Sequence, residues 1–385
     1  MAIATPLSTS GRYIVDAHGK RVRLAGVNWY GASEDIGVPA GLDRTDLTTL
    51  AGLIAAQGFN CVRFPFSLWM LDQTVPVPRQ YLAANPDLQG STPIEVYDAC
   101  VKALTGQGLI VIPNCHLLDF GWCCKDGDSN GLWFNDRWPA AKFTAAWQNI
   151  TRRYASNPLV AAMDIKNEPR PAKVGGRVLK PTWGTGGQTD FAAMYTTVGN
   201  LIHQINPRLL IICEGLNYAL DLTGVASHPV RLNEANKIVY SMHDYSWSGH
   251  QGQDQAAYNN QMNKNGGYLL ANKTAPVWIG EFGHVAGTLP PPAAEWWDYI
   301  MAWLKDQDVD WCWWALNPTH GQSSAPGTSQ VLNQQGAAEP FGLLTPDWSG
   351  VGFPAVVTML KAIIPPNTGP GIGRASCRER VYGPV

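Results

Sequence analysis

Short apolar runs rich in β-branched and aromatic residues recur along the chain. They are VRLAGVNW (22–29), NCVRFPF (60–66), LIVIPNCH (109–116), VAAMDIKNEP (160–169), LLIICEG (209–215), KIVYSMHDY (237–245), PVWIGEFG (276–283) and DWCWWALNP (310–318), eight in all. Near-continuous apolar character is that of parallel strands covered on both faces. Segments of helical spacing separate most of them. In 43–59, Leu47, Leu50 and Ile54 share one face and Gly58 supplies a stop. The segment 91–108 has Ser91 placed to cap its start and Gly106 and Gly108 to end it. Further helices are expected over 138–156, 188–206, 257–273, 293–307 and 353–363. Between 213 and 238 the helical signal is weak and a loop is expected. Strands alternating with helices imply a parallel sheet, and eight such units imply closure into an α/β barrel, the (β/α)8 or TIM fold. One domain over 1–364 is expected, with residues 11–24 as a hairpin closing the bottom of the barrel. The tail 365–385 is Pro/Gly-rich and then basic, without periodicity. It reads as disordered: a linker remnant or a non-native extension.

Composition narrows the function. The 385 residues include 28 Lys+Arg and 30 Asp+Glu, a formal charge of −2. That balance gives no footprint for nucleic acid. No apolar run approaches the ~20 residues of a membrane span. No G-x-G-x-x-G or P-loop follows a strand, which argues against a nucleotide-binding sheet. The start lacks a basic and then apolar leader. A secreted enzyme whose signal is absent from this chain is expected, with a cytoplasmic place left open, and a monomer is expected. Trp is abundant, at 16 residues, and indole faces stack on the axial C–H bonds of sugars. Of the eight Cys, Cys61, Cys115, Cys213 and Cys312 fall in strand-like runs and read as small core hydrophobes. No Cys/His spacing fits a structural zinc.

Reacting groups of an α/β barrel collect at the C-terminal ends of its strands. The runs end in Asn28 and Trp29, Arg63, His116, Asn167 and Glu168, His243 and Tyr245, Glu281, and Trp313 and Trp314. Glu168 and Glu281 close the fourth and seventh runs, on opposite sides of the mouth. Glycoside hydrolysis needs such a pair: one carboxylic acid protonates the leaving oxygen, and the other attacks or activates water. The two must differ in pKa. Arg63 is placed to hold Glu281 ionised, and Tyr245 to donate to it.

The motifs DIKNEP and WIGEFG, with CVRFPF, HDY and WWALNP, resemble glycoside hydrolase family 5, the cellulase-type retaining glycosidases. The resemblance covers roughly residues 11–364. LAGVNWYG and FGLLTPDW are similar to the bacterial endoglucanases of that family, and GWCC to a branch well represented in plants. It implies Glu168 as acid/base and Glu281 as nucleophile, without a cofactor or a metal. Asn167 would bond the sugar 2-hydroxyl, and Arg63 would orient Glu281. His116, His243 and Tyr245 would line the cleft, with Trp314 under the sugar before the scissile bond and Trp29 on the rim. The substrate implied is a β-glucan, cut as by an endo-β-1,4-glucanase; a β-mannanase or other β-glycanase is the alternative. Outside enzymes, the competing reading is a carbohydrate-binding protein on an inactive barrel. Glu214 also ends a strand and reads as structural, and no role is assigned to Lys166.

One stretch resists this frame. GWCCKDGDSNG (121–131) pairs two adjacent cysteines with Asp/Asn spacing like the opening of a calcium loop. Such a loop needs a Glu at its twelfth position, which here is Arg137. An Asp/Asn/Gly turn is the expectation. Trp122 and Trp133 would then form part of a sugar-binding wall, tied down by Cys123 or Cys124.

Overall fold

The computed structural model describes residues 3–124, 127–285, 292–320 and 336–363. Its centre is a closed barrel of eight parallel strands in sequential order. They are β1 (Ala25–Asn28), β2 (Cys61–Ser67), β3 (Ile110–Leu117), β4 (Ala162–Asp164), β5 (Leu210–Glu214), β6 (Ile238–Asp244), β7 (Val277–Phe282) and β8 (Asp310–Trp313). Every expected run holds one, with β2 and β3 each extending one residue past the end of its run. β4 is far shorter than its run, because the chain leaves the sheet before the Asn167–Glu168 pair. Nearly all strand residues are buried, as both-face coverage requires.

Helices cover the barrel where the periodicity places them: Leu47–Ala56, Pro93–Gly106, Ala140–Arg153, Phe191–Ile205, Ala293–Gln307 and Pro354–Ala362. The cap of the second is Thr92, not Ser91. The Glu95 carboxylate accepts from the Thr92 backbone N–H at 2.7 Å and from its hydroxyl at 2.8 Å, with Pro93 at the first helical position. The expected 257–273 helix is broken: Gln255–Met262 passes through a π turn at Asn263–Gly267 into Tyr268–Ala271. Two glycines in that turn, Gly266 and Gly267, weaken regular helix there. The 213–238 segment holds only short turns, Leu216–Ala219 and Thr223–Ala226.

The bottom is plugged as expected, with a shifted hairpin. Ser8–Ser10 pairs antiparallel with Tyr13–Val15 around Gly11, and Val15 bridges Arg21 across a second turn. Leu7, Ile14, Val22 and Leu24 pack with Ile110, Leu210 and Trp278 from inside the barrel. Among the described residues, no helix is long and apolar enough to cross a membrane. The tail expected over 365–385 lies outside the described residues.

Candidate functional site

All polar strand ends meet at the C-terminal mouth. Arg63, on β2, is fully buried beneath it and spends its five N–H donors on five partners. Nε donates to Asp164 at 2.6 Å. One terminal nitrogen donates to Asn28 at 3.0 Å and Glu281 at 2.6 Å, and the other to Asn167 at 2.7 Å and Glu214 at 2.9 Å. Burial pulls against its charge, but Asp164, Glu281 and Glu214 outweigh it and raise its pKa above the usual value. Arg63 exposes no surface. The expected substrate contact is therefore corrected: it acts on the cleft through the groups it holds.

Glu281 ends β7. Its Oε1 takes the Arg63 bond and its Oε2 accepts from the Tyr245 hydroxyl at 2.9 Å. Burial raises its pKa; His243, Arg63 and the Tyr245 hydroxyl oppose the rise, and Glu168 adds to it. Glu168 follows Asn167 just beyond β4. Its φ of 45° is in the left-handed region, disfavoured for a non-glycine residue. Glu214 holds it there by accepting from the Glu168 backbone N–H at 2.7 Å, and Arg170 donates to its carbonyl at 3.0 Å. Gly131 makes room for Arg170, since a Cβ there would sit 2.3 Å from the Arg170 carbonyl oxygen. Glu168 Oε1 lies 2.9 Å from His243 Nδ1. Burial pushes the Glu168 carboxyl up to about 7, against Arg170, Arg63 and Lys166.

Burial pushes His243 down to about 4, so near neutrality it is an uncharged ring between the two carboxylates. One oxygen of each carboxylate and a His243 nitrogen all lie within 4.8 Å of one another. Those oxygens are already engaged: Glu281 by Arg63 and Tyr245, Glu168 by His243. Among the described residues the other metal-like grouping is Cys123, Cys124 and Glu168, but the two cysteines form a disulfide with each other, so neither is a thiolate ligand.

These groups line a cleft of about 690 Å³ with His116, Trp122, Asn167, Tyr245 and Trp314. His116 stacks nearly parallel to Trp314, centroids 5.5 Å apart, and its Nδ1 meets Asn114 at 2.9 Å. Lys166 gains a role: its buried ammonium donates to the Asn167 carbonyl at 2.8 Å, and burial lowers its pKa to about 8. Two expectations are corrected. Trp29 is fully buried, bonds the Ala40 carbonyl and packs on Phe64. The next residue, Tyr30, stacks on Trp314 instead, centroids 5.1 Å apart. Trp133 turns into the core against Phe134 and Phe191.

Residues 127–131 of the 121–131 loop are pinned mainly to their surroundings. Asp128 accepts from the Asn130 backbone and from Arg170, and Asn130 accepts from Leu118 and Asp119. Lys125 and Asp126 lie outside the described residues. Sequence reasoning missed Trp247, Tyr218, His320 and Glu339 at the cleft. Trp247 is 60% exposed and stacks on Tyr245 at 4.6 Å. All four sit on loops without periodicity; only a Trp two residues beyond HDY could have marked one of them.

A family model described as cellulase (glycosyl hydrolase family 5) matches residues 15–320. The chain belongs to glycosyl hydrolase family 5. It is thus a glycoside hydrolase, on the barrel typical of such enzymes. A glycosyl hydrolase 5 family protein of Chamaecyparis obtusa is 31% identical, over 99% of this chain and 70% of its own. An endoglucanase of Paenibacillus polymyxa is 27% identical, over 89% of this chain and 83% of its own. An endocellulase of Pyrococcus horikoshii, solved in complex with cellotetraose, superposes with a TM-score of 0.78 at 23% identity, covering 94% of this chain and 99% of that one.

Two outcomes test the geometry of this family 5 site. Arg63→Met leaves buried carboxylates unpaired and should cost about 3–5 kcal/mol in urea unfolding. Trp122 packs edge-on to His320 at 4.4 Å on the cleft wall. Trp122→Ala should raise KM for a long polysaccharide more than for an aryl glycoside; equal losses on both would remove it from the sugar-binding wall.

Proposed function

We propose that the protein is a retaining endo-β-1,4-glucanase acting by double displacement, with Glu281 as nucleophile and Glu168 as acid/base. The observation that carries this reading is the close pair. Its nearest oxygens fall within 4.8 Å, short of the ~6.5–9.5 Å an inverting enzyme needs to admit water between its carboxyls. The environments divide the labour. Glu281, with two donors on its oxygens, is the carboxylate ready to attack. Glu168, buried with a neutral ring on one oxygen and a sulfur against the other, keeps a proton near neutrality and delivers it to the leaving oxygen. After glycosylation the same group takes a proton from water.

Asn167 is clamped by Arg63 on its amide oxygen, and its nitrogen, with only long, weak bonds to the Cys123 and Cys124 sulfurs, has a hydrogen to give to the sugar 2-hydroxyl. Trp314 is the stacking platform, and the exposed Trp247 extends the aromatic surface along the cleft. An open cleft lined by Trp122, Tyr245, Trp247, Trp314 and Phe341 suits stacking on successive sugars of a polymer. The relatives named endoglucanase and endocellulase support β-1,4-glucan as that polymer. A polymer cannot enter a cell, and a disulfide persists in oxidising compartments, so we place the enzyme outside the cell. Residues 1–364 act as one catalytic unit, and the chain works as a monomer without a cofactor.

Glu168→Gln should lose activity on soluble β-1,4-glucan by about 10²–10⁴-fold, the usual contribution of a positioned acid. It should keep rapid glycosylation by aryl cellobiosides with very good leaving groups, seen as a burst. Full activity on the polymer would refute the assignment. For the wild type, kcat/KM should fall as pH rises through about 7, where Glu168 loses its proton.

A further inference from the structure

Two sulfurs face the acid/base, and the mechanism above leaves them unused. Cys123 and Cys124, adjacent in sequence, are joined to each other on the cleft wall. The Cys123 sulfur lies 3.7 Å from Glu168 Oε2 and 3.4 Å from Asn167 Nδ2; the Cys124 sulfur lies 3.8 Å from that same nitrogen. A disulfide sulfur has no proton to give. It can accept weakly from the Asn167 amide, while to Glu168 it presents a polarisable, apolar surface. Glu168 Oε1 already meets His243, so the sulfurs decide what Oε2 meets.

We propose that the Cys123–Cys124 disulfide is a positioning element of the catalytic acid: it aims the Asn167 amide and keeps donors and water from Glu168 Oε2, so that cleaving it to two thiols weakens catalysis at neutral and higher pH. This rests on the reading of Glu168 as acid/base. A thiol or serine hydroxyl at position 123 can donate to Oε2, and donation to the charged form lowers a carboxyl pKa. An alanine pair opens the wall to water, which acts in the same direction. The other groups facing Glu168 stay in place. Arg63, Lys166 and Arg170 favour its ionised form, and Asp128 opposes it. His243, Tyr245 and Glu281 face it from β6, its following loop and β7, and Glu214 holds its backbone from β5. Burial is the largest cause of its raised pKa, and the sulfur wall is part of that burial.

Reduction by a water-soluble phosphine balances simply. Phosphorus attacks one sulfur, the S–S bond breaks and the other sulfur leaves as a thiolate that takes a proton. Water then converts the phosphonium to phosphine oxide and releases the second thiol. The test compares pH profiles of kcat/KM on soluble β-1,4-glucan for oxidised enzyme and phosphine-reduced enzyme. Thiol titration confirms cleavage and circular dichroism confirms the fold. Cys123→Ser/Cys124→Ser and Cys123→Ala/Cys124→Ala are run alongside. The basic limb should move down by about one pH unit, about a tenfold loss above it, with the acidic limb unmoved. A basic limb that stays in place after reduction, or a uniform loss at every pH, overturns the proposal. Glu168→Gln on the same soluble β-1,4-glucan is the control: if its residual activity keeps the wild-type basic limb, Glu168 is not the acid, and that failure is distinct from a wall without effect.

Discussion

A single buried cation organises the mouth of this barrel. Arg63 bonds Asn28, Asp164, Asn167, Glu214 and Glu281, which lie on or just beyond four strands, β1, β4, β5 and β7. A guanidinium can do this because its donors are planar, fixed and permanently charged. A lysine would bring one point charge and three donors. Burying such a cluster is costly, and it is tolerated only when nearly every donor is matched. Matching fixes geometry: Glu281, Asn167 and the support of Glu168 share one anchor, so the catalytic groups cannot drift apart independently.

Glu214 carries the second half of that constraint. One oxygen takes Arg63, and the other holds the Glu168 backbone in a left-handed conformation. Burial, with Asp164 beside it, pushes Glu214 up from the carboxylate range. The residue proposed as acid/base thus sits on a backbone strained against a buried carboxylate. Burial raises both Glu168 and Glu281, and their partners set them apart. Glu281 is solvated by protein donors, and Glu168 is left with a neutral imidazole and a sulfur surface.

Much of this was legible in the chain. The eight apolar runs locate the strands, because parallel barrel strands are buried on both faces and leave an uninterrupted apolar signature. Glu168, Glu281 and Arg63 followed from their places at strand ends. The failures have physical causes. Beyond the last sheet bond, strand alternation no longer says where each of two aromatic neighbours goes, so Trp29 turned into the core and Tyr30 packs against Trp314. Trp133 looked like its near neighbour Trp122, but a turn pinned by Asp128 and Asn130 separates them and sends one to the core. Glu214 read as structural, which it is, yet its bond to the Glu168 backbone is invisible without coordinates. Trp247, His320 and Glu339 reach the cleft on loops that carry no period. The pairing of Cys123 with Cys124 had no signal beyond adjacency.

The central claim is that Glu281 attacks the sugar while Glu168 manages the proton. An activated 2-deoxy-2-fluoro-β-cellobioside tests it most directly, since the fluorine slows both steps and the leaving group rescues only the first. Mass spectrometry of the inactivated enzyme should show one fluorocellobiosyl group per chain, and peptide mapping should place it on Glu281. A label on any other residue, or turnover without a covalent adduct, would contradict the account.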